Sequence, residues 1–387
     1  MKVNIRKISE DTGFSISTVS NALNHKKGVN KETAKKILEA AQELGYNMEE
    51  EITKIRFVIF RRNGLIIDES FFHPAVIEGV EHQAKAMGYE MVFCYVDIRD
   101  PGYKEQLADI LADMQSVVIL LGTEMLEEDY EPYTNAKNQI ILLDGQSDKY
   151  IFDSVLINDT EAATEAVEYL VKKGHTKIGY LKGEFRIQAF RSREKGYYHV
   201  MNQYGYPVKP EYIVTLGTRI ETAYQKMKEY LARAKEIPTA FFADNDVIAI
   251  GSMQAIKEYG YQIPEDISVI GFDDVSYGIV SDPPLSTVHV YKQELGARAV
   301  RELLSADGRN SEVKVKIQVC AKFVERTIIQ SNFSSAIISS ILRGVHSIAC
   351  PTLSDTNRYL FLHNFLYQNS DRYRNNQKGK NANNNKR

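Results

Sequence analysis

Two hydrophobic periods divide this chain, and the change from one to the other comes early. Up to residue 44, apolar positions recur at intervals of three and four, the spacing of one helix face. A short helix is predicted over Ile5–Asp11, with Ile8 turned inward and Ser9 small enough for close helix contact. Gly13 supplies the permissive backbone of a turn, apolar Phe14 follows, and Ser15 stands at the N-cap of a second helix. Val19, Ala22 and Leu23 form that helix's buried side. A third helix is predicted over Val29–Leu44, with Asn30 as N-cap and Ala34, Ile37, Leu38, Ala41 and Leu44 at helical spacing. Gly45 is expected to stop it.

From Ile55 onward, short apolar runs alternate with amphipathic helical stretches. Strands are predicted at 56–60, 89–95, 116–121 and 139–143, with helices at 74–87 and 104–114. After Asn158 the pattern restarts, with helices at 160–173, 193–204, 220–234 and 247–259 and strands at 177–181, 213–215, 240–243 and 267–271. Such alternation predicts parallel sheets covered on both faces. The expected fold class is therefore α/β: an N-terminal all-α helix-turn-helix head, then two doubly wound parallel-sheet lobes. Ligands bind such sheets at the carboxyl ends of the strands, so two facing lobes predict a cleft between them.

The outer face of the second helix shows Ile16, Ser17, Thr18, Ser20 and Asn21, short groups suited to base edges and phosphates. An ordinary helical hairpin has the same spacing, and the helix alone does not decide between the two. Charge changes the picture slightly. The net charge is −3 over 387 residues, yet residues 1–47 carry eight Lys/Arg against five Asp/Glu. Three cysteines, Cys94, Cys320 and Cys350, lie far apart, which argues against a disulfide framework. Cys94 and Cys320 sit in strand-like runs and read as buried thiols. No apolar run follows the early basic residues and none is long enough to span a bilayer, so a cytoplasmic protein without membrane contact is expected. The histidines show no metal spacing, and no P-loop, GxGxxG or GxSxG appears. Neither catalysis nor a metal or cofactor is expected.

Several ordered motifs point one way. They include TVSNALN (18–24), AAQELGY (40–46), FFHPAVIEGVEHQAKAMGYE (71–90), YLVKKGHTKIGYLKG (169–183) and FRSREKGYY (190–198). FFADNDVIAIGSMQAIKEYG (241–260), IPEDISVIGFDD (263–274), PPLSTVH (283–289) and VERTII (324–329) continue the series. Over roughly residues 3–329 the chain resembles the lactose/galactose repressor (LacI/GalR) family. That resemblance implies a DNA-binding head on residues 1–47, a linker at 48–55 and a periplasmic-binding-protein-like, dimerising body at 56–329. It places Ile16, Ser17 and Asn21 at base-reading positions and Ser15, Thr18 and Ser20 against phosphates. For the effector cleft it implies Phe71, Phe72, His73, Arg191, Arg193, Asn245, Asp246 and Asp273. Phe71 or Phe72 could equally be core, Asp273 could cap a helix, and Arg191 could be an ordinary surface residue. Tyr224 and Tyr277 could also line the cleft. Arginine and aspartate pair with vicinal hydroxyls and an aromatic ring stacks on a sugar face, so the expected effector is a saccharide. Each recognition helix reads few base pairs, so a homodimer on a near-palindromic double-stranded operator is expected. A sugar-binding protein without DNA function is the alternative, and the three-helix head speaks against it.

Two stretches depart from the family. The connector NMEEEITK (47–54) lacks the leucine that relatives wedge into the minor groove, and Glu49, Glu50 and Glu51 place carboxylates near phosphates. Little central kinking of the operator is expected. Residues 330–387 run past the family's ending, and the Asn- and Lys-rich end RYRNNQKGKNANNNKR reads as a disordered tail. The abrupt change of composition favours a read-through or frameshifted extension.

Overall fold

The computed structural model describes residues 4–23, 28–44, 52–68, 70–305 and 313–326. The stop at Gly45, the linker glutamates Glu49–Glu51 and the tail at 330–387 lie outside these residues.

The head consists of α1 (Ile5–Thr12), α2 (Ile16–Leu23) and α3 (Lys31–Glu43). Asn4 caps α1 by accepting from the Lys7 N–H, and Gly13 ends it in the left-handed region at φ 71°. Ser9 Oγ donates to the Phe14 carbonyl at 2.6 Å, tying the first helix to the turn. Ser15 Oγ accepts the Thr18 N–H at 3.1 Å, and Asn30 accepts the Thr33 N–H at 2.8 Å. Ile8, Val19, Ala22, Ile37 and Ala41 form a small core, flanked by Ile5, Phe14, Leu23, Val29, Ala34 and Leu44. The helical spacing read from the sequence therefore gathers one residue set.

The body begins with β1 (Lys54–Arg61), α4 (His73–Ala86), β2 (Glu90–Asp97), α5 (Tyr103–Ala112), β3 (Ser116–Leu121), β4 (Ile140–Leu143) and β5 (Asp153–Ile157). It continues with α6 (Asp159–Lys172), β6 (Ile178–Gly183), α7 (Gln188–Gln203), β7 (Ile213–Leu216), α8 (Ile220–Arg233), β8 (Ala240–Ala243) and α9 (Asp246–Glu258). Last come β9 (Ser268–Ile270), α10 (Ser276–Val280), β10 (Thr287–His289), α11 (Lys292–Leu303), β11 (Lys316–Val319) and β12 (Lys322–Val324). The first sheet has the order β11-β5-β4-β3-β1-β2 and the second β7-β6-β8-β9, with every pairing parallel. Strands β3, β4 and β5 are buried along their whole length, as central parallel strands require. Among the described residues no helix is long and apolar enough to cross a membrane.

The chain passes between the lobes three times. It leaves β5 for α6, which packs on α7. It returns from β10, bridged to the end of β9, to α11, which packs on α4. It crosses again from β11, paired with β5, to β12, paired with β10. One core runs through these crossings, from Ile55, Phe57 and Val117 to Tyr180, Phe242 and Ile270. Helices α4 and α11 touch backbone to backbone: a Cβ at Gly79 would lie 2.0 Å from the Gln293 oxygen, and one at Gly296 2.2 Å from the Val76 oxygen.

Three readings need correction. Helix α7 starts at Gln188, not Arg193, so Arg193 sits inside the helix rather than at its mouth. Strands β5, β10, β11 and β12 and helices α10 and α11 were not predicted. Two of them, β10 and β12, are only three residues long, and β11 is an edge strand whose exposed lysine and glutamine blur the pattern. Cys94 is buried as expected, but Cys320 is exposed, because it falls in the short connection between β11 and β12.

Candidate functional site

The head presents α2 outward. Ser15, Ile16 and Ser17 are exposed, with Ile16 half-exposed at 50% although it is apolar, and Thr18, Ser20 and Asn21 are half-buried beside them. Ser15 Oγ lies 2.8 Å from both Ser17 Oγ and Thr18 Oγ1, so three hydroxyls cluster at the helix N-terminus. The backbone N–H groups and the positive dipole end there suit a phosphate. An exposed isoleucine next to that cluster is what contact with a thymine methyl would need.

In the body, a cleft of about 500 Å³ opens at the carboxyl ends of the strands of both sheets. The first lobe contributes Leu65, Ile66 and Asp68 from the loop after β1, Ser70–His73 leading into α4, Thr123 after β3 and Asp144 after β4. The second lobe contributes Phe190 and Arg193 of α7, residues 218–222 before and at the start of α8, Asn245 before α9, and Asp273 and Val275 after β9. Thr218 Oγ1 donates to the Leu65 carbonyl at 3.0 Å, joining the two rims.

Arg193 organises the second-lobe wall. It is buried, its Nε donates to Asp159 at 2.8 Å and its Nη1 to the Asp244 carbonyl at 2.7 Å, and Nη2 lies 3.1 Å from Asp273 Oδ1. The guanidinium stacks 3.7 Å from the centre of the Phe272 ring. Burial pushes its pKa down, but Asp273 and Asp159 outweigh that and hold it above its ordinary value. Asp273 adopts φ 111°, an unusual backbone for an aspartate, and the side chain serves the cleft rather than a helix cap. Asn245 caps α9 by accepting the Ile248 N–H at 3.0 Å, which leaves its amide nitrogen for the cleft.

The first-lobe wall is a hydrogen-bonded series. His73 Nδ1 lies 2.6 Å from Ser70 Oγ, His73 Nε2 lies 3.1 Å from Thr123 Oγ1, and Thr123 Oγ1 donates to Asp144 Oδ2 at 2.6 Å. Burial lowers the His73 pKa to about 4, so the ring is neutral at neutral pH. With Asp144 ionised, Thr123 gives its proton to the carboxylate and accepts from His73 Nε2–H. Burial pushes Asp144 up to about 7 against the Thr123 hydrogen bond, and the charges of Asp159 and Asp273 push the same way. Glu124, fully buried, accepts the backbone N–H groups of Arg62, Asn63, Gly64, Ile66 and Ile67 and so shapes the rim loop.

The structure brings Phe71, Phe72, His73, Arg193, Asn245 and Asp273 to one cleft and leaves out two predicted members. Arg191 is exposed; two residues from Arg193 on a helix, it points about 200° away. Asp246 is fully buried behind the wall, where it accepts the Val275 N–H at 2.8 Å and the Thr287 hydroxyl at 2.5 Å. It clamps α9 to the segments after β9 instead of facing a ligand. Phe72 joins the core while Phe71 stays 47% exposed and stacks 5.7 Å from Tyr277. Tyr224 is not at the cleft and faces Glu258 and Lys228. Sequence reasoning missed Thr123, Asp144, Asp159 and Glu124. Asp144 had a readable signal, since ILLD ends a strand with an acid just as FFAD and IGFDD do. Among the described residues no cluster of histidine, cysteine and carboxylate could hold a metal ion.

Comparison with known proteins agrees with this architecture. The pattern of the bacterial regulatory proteins of the lacI family matches residues 4–48, and that of the periplasmic binding protein-like domain matches residues 167–327. The HTH-type transcriptional repressor PurR of Vibrio vulnificus (strain CMCP6) is 30% identical over 307 residues, 78% of this chain and 90% of that protein. The PurR repressor of Pasteurella multocida (strain Pm70) is 28% identical over 330 residues, 84% of this chain and 98% of that protein. Two solved structures share the fold. The transcriptional regulator CelR–cellobiose complex has a TM-score of 0.63 at 21% identity, covering 84% of this chain and 99% of its own. The lac repressor dimer bound to operator and the anti-inducer ONPF has 0.62 at 22%, covering 85% and 100%. With the helical head, the two parallel-sheet lobes and relatives matched across nearly their whole length, this chain belongs to the LacI family of bacterial regulatory proteins.

Proposed function

We propose that this protein represses transcription by binding a near-palindromic operator as a homodimer, and that a saccharide in the cleft releases it. The observation that carries the effector reading is the cleft's lining: carboxylates Asp144 and Asp273 and the Asn245 amide stand among Phe71, Phe72 and Phe190. Such a set accepts hydroxyl protons and offers ring faces, which is what a polyhydroxylated ring needs. The CelR–cellobiose complex and a LacI-family transcriptional regulator from Enterococcus faecium with bound ribose share the fold and hold sugars. A second reading is a purine effector, because the aromatic residues lining the cleft accommodate a flat ring equally well. DNA contact is assigned to Ser15, Ile16, Ser17, Thr18, Ser20 and Asn21, and the site of action to the cytoplasm. A thermal-shift panel of sugars and purines decides the effector class, because a specific ligand raises stability with its concentration over Kd. Sugars alone shifting the melt supports the saccharide; purines alone shifting it overturns that reading. Operator retardation reversed by the same compound tests the repression and release.

A further inference from the structure

The saccharide reading can be sharpened by the partners of each charge in the cleft. Asp273 and Asp159 share Arg193, and Asp68 pairs with Arg61 at 3.0 Å. Asp144 is different. Its hydrogen-bonding partner is the neutral hydroxyl of Thr123, and Thr123 is in turn held by the neutral ring of His73. Arg193 is the nearby cation that acts on it, and its guanidinium is already committed to Asp159, Asp273 and the Asp244 carbonyl. The carboxylate thus lines the cavity with one oxygen bonded to Thr123 and, among the described residues, no cation bonded to it; Phe71 and Phe72 line the same cavity.

We infer that the effector carries a protonated amine among its hydroxyls, and that the ammonium docks on Asp144. An ammonium answers an isolated carboxylate in a partly desolvated cleft far better than a hydroxyl does, because the ion pair removes the cost of holding that charge alone. Aminosugars and open-chain aminopolyols share this chemistry. The inference rests on the saccharide reading and narrows it.

The groups facing Asp144 are Thr123 after β3, Asp159 at the start of α6, Arg193 on α7 and Asp273 after β9. Burial lifts the Asp144 pKa to about 7, so an arriving ammonium would displace a proton from part of the molecules at neutral pH. That release is a second readout, independent of affinity.

The test is calorimetry on the full chain with matched probes: glucosamine, galactosamine and mannosamine against glucose, galactose and mannose, the N-acetyl derivatives, and glucamine. The expected result is that at least one amine binds tenfold or more tighter than its neutral parent, that acetylation removes the gain, and that amine binding at pH 7 releases protons. The apparent enthalpy would then depend on the buffer's ionisation enthalpy. In Asp144→Asn the amine preference and the proton release should both vanish, while operator binding shows that the variant is folded. A neutral sugar binding as tightly as its amine, or an amine preference that survives Asp144→Asn, overturns the inference and leaves the saccharide reading standing. Silence across the whole panel, with a purine binding instead, overturns both.

Discussion

The head and the cleft both expose polar groups to a partner, but they hold those groups in opposite ways. On α2, serine, threonine and asparagine side chains ride on a helix that shares the head's core of five buried residues, and among the described residues of the head nothing charged is buried. In the cleft, Arg193, Asp159 and Asp273 are buried and bound to each other before any ligand arrives. The difference teaches where free energy resides. The outer face of α2 contributes little to folding and, under the proposed function, gains its contacts on binding DNA. The cleft's second-lobe wall is part of the fold, and only its less committed members are available to a ligand.

The strongest way to break this contrast is to remove the organiser. Arg193→Ala removes the cation bonded to both Asp159 and Asp273, a loss of about 3–5 kcal/mol for a broken buried pair. Denaturant unfolding of the full chain should show that drop. If the variant lost effector binding yet unfolded like the parent, the wall would be a ligand-contact surface like α2 and the contrast would fail.

Acidity separates the two regions next. Asp246 accepts from Val275 and Thr287, no cation among the described residues bonds to it, and burial lifts its pKa from 3.8 to about 8. Burial likewise lifts Asp144 to about 7. Between roughly pH 4 and pH 8 the folded body therefore holds protons that the unfolded chain has released. Stability from these groups is greatest at the acidic end of that window and falls as pH rises through it. The body's melting temperature should decrease by several degrees from about pH 5.5 to pH 8, and Asp246→Asn should flatten the decrease. The acidic residues described in the head are all exposed, so its unfolding should respond less. A body that became steadily more stable over this range would contradict the assignment.

A smaller effect is expected on the DNA face. Asn21→Ala should weaken operator binding by about 1–3 kcal/mol, roughly 5- to 150-fold, the range for losing a bidentate base contact. Fluorescence anisotropy at fixed salt measures it, and effector affinity should stay unchanged. A uniform loss on operator and random DNA would move Asn21 from base reading to backbone contact.

The unequal legibility of the two regions has the same physical origin. The head could be read almost residue by residue: caps at Ser15 and Asn30, the turn at Gly13, and the buried set of Ile8, Val19 and Ala22 all follow from local spacing and local hydrogen bonds. The parallel lobes were legible as an alternation, because each strand must be apolar on both faces. Short or edge strands such as β10, β11 and β12 were not, since three or four residues carry no period. In the cleft, the side-chain direction was the missing quantity. Arg191 and Arg193 look alike in a motif but differ by about 200° on a helix, and Asp246 is one residue from Asn245 yet faces the interior. Thr123 and Asp144 are 21 positions apart and meet only because β3 and β4 are paired in register.

Ser15 offers the finest test, because it has two roles that substitution can separate. Its hydroxyl accepts the Thr18 N–H, and Ser15→Ala should cost the head about 1 kcal/mol of helix stability, as N-cap losses do. The same hydroxyl cluster stands where a phosphate would sit against the helix N-terminus. Ser15→Asp restores the cap with a better acceptor but adds a negative charge to that position. If Ser15 only caps, Asp should recover the stability and the operator affinity that Ala loses. If it also faces the backbone, Asp should recover stability and bind DNA worse than Ala, with the deficit growing as salt is lowered because phosphate repulsion is then less screened. Effector binding should be identical in all three proteins, and a change there would tie the cap of α2 to the cleft and end the separation between the two regions.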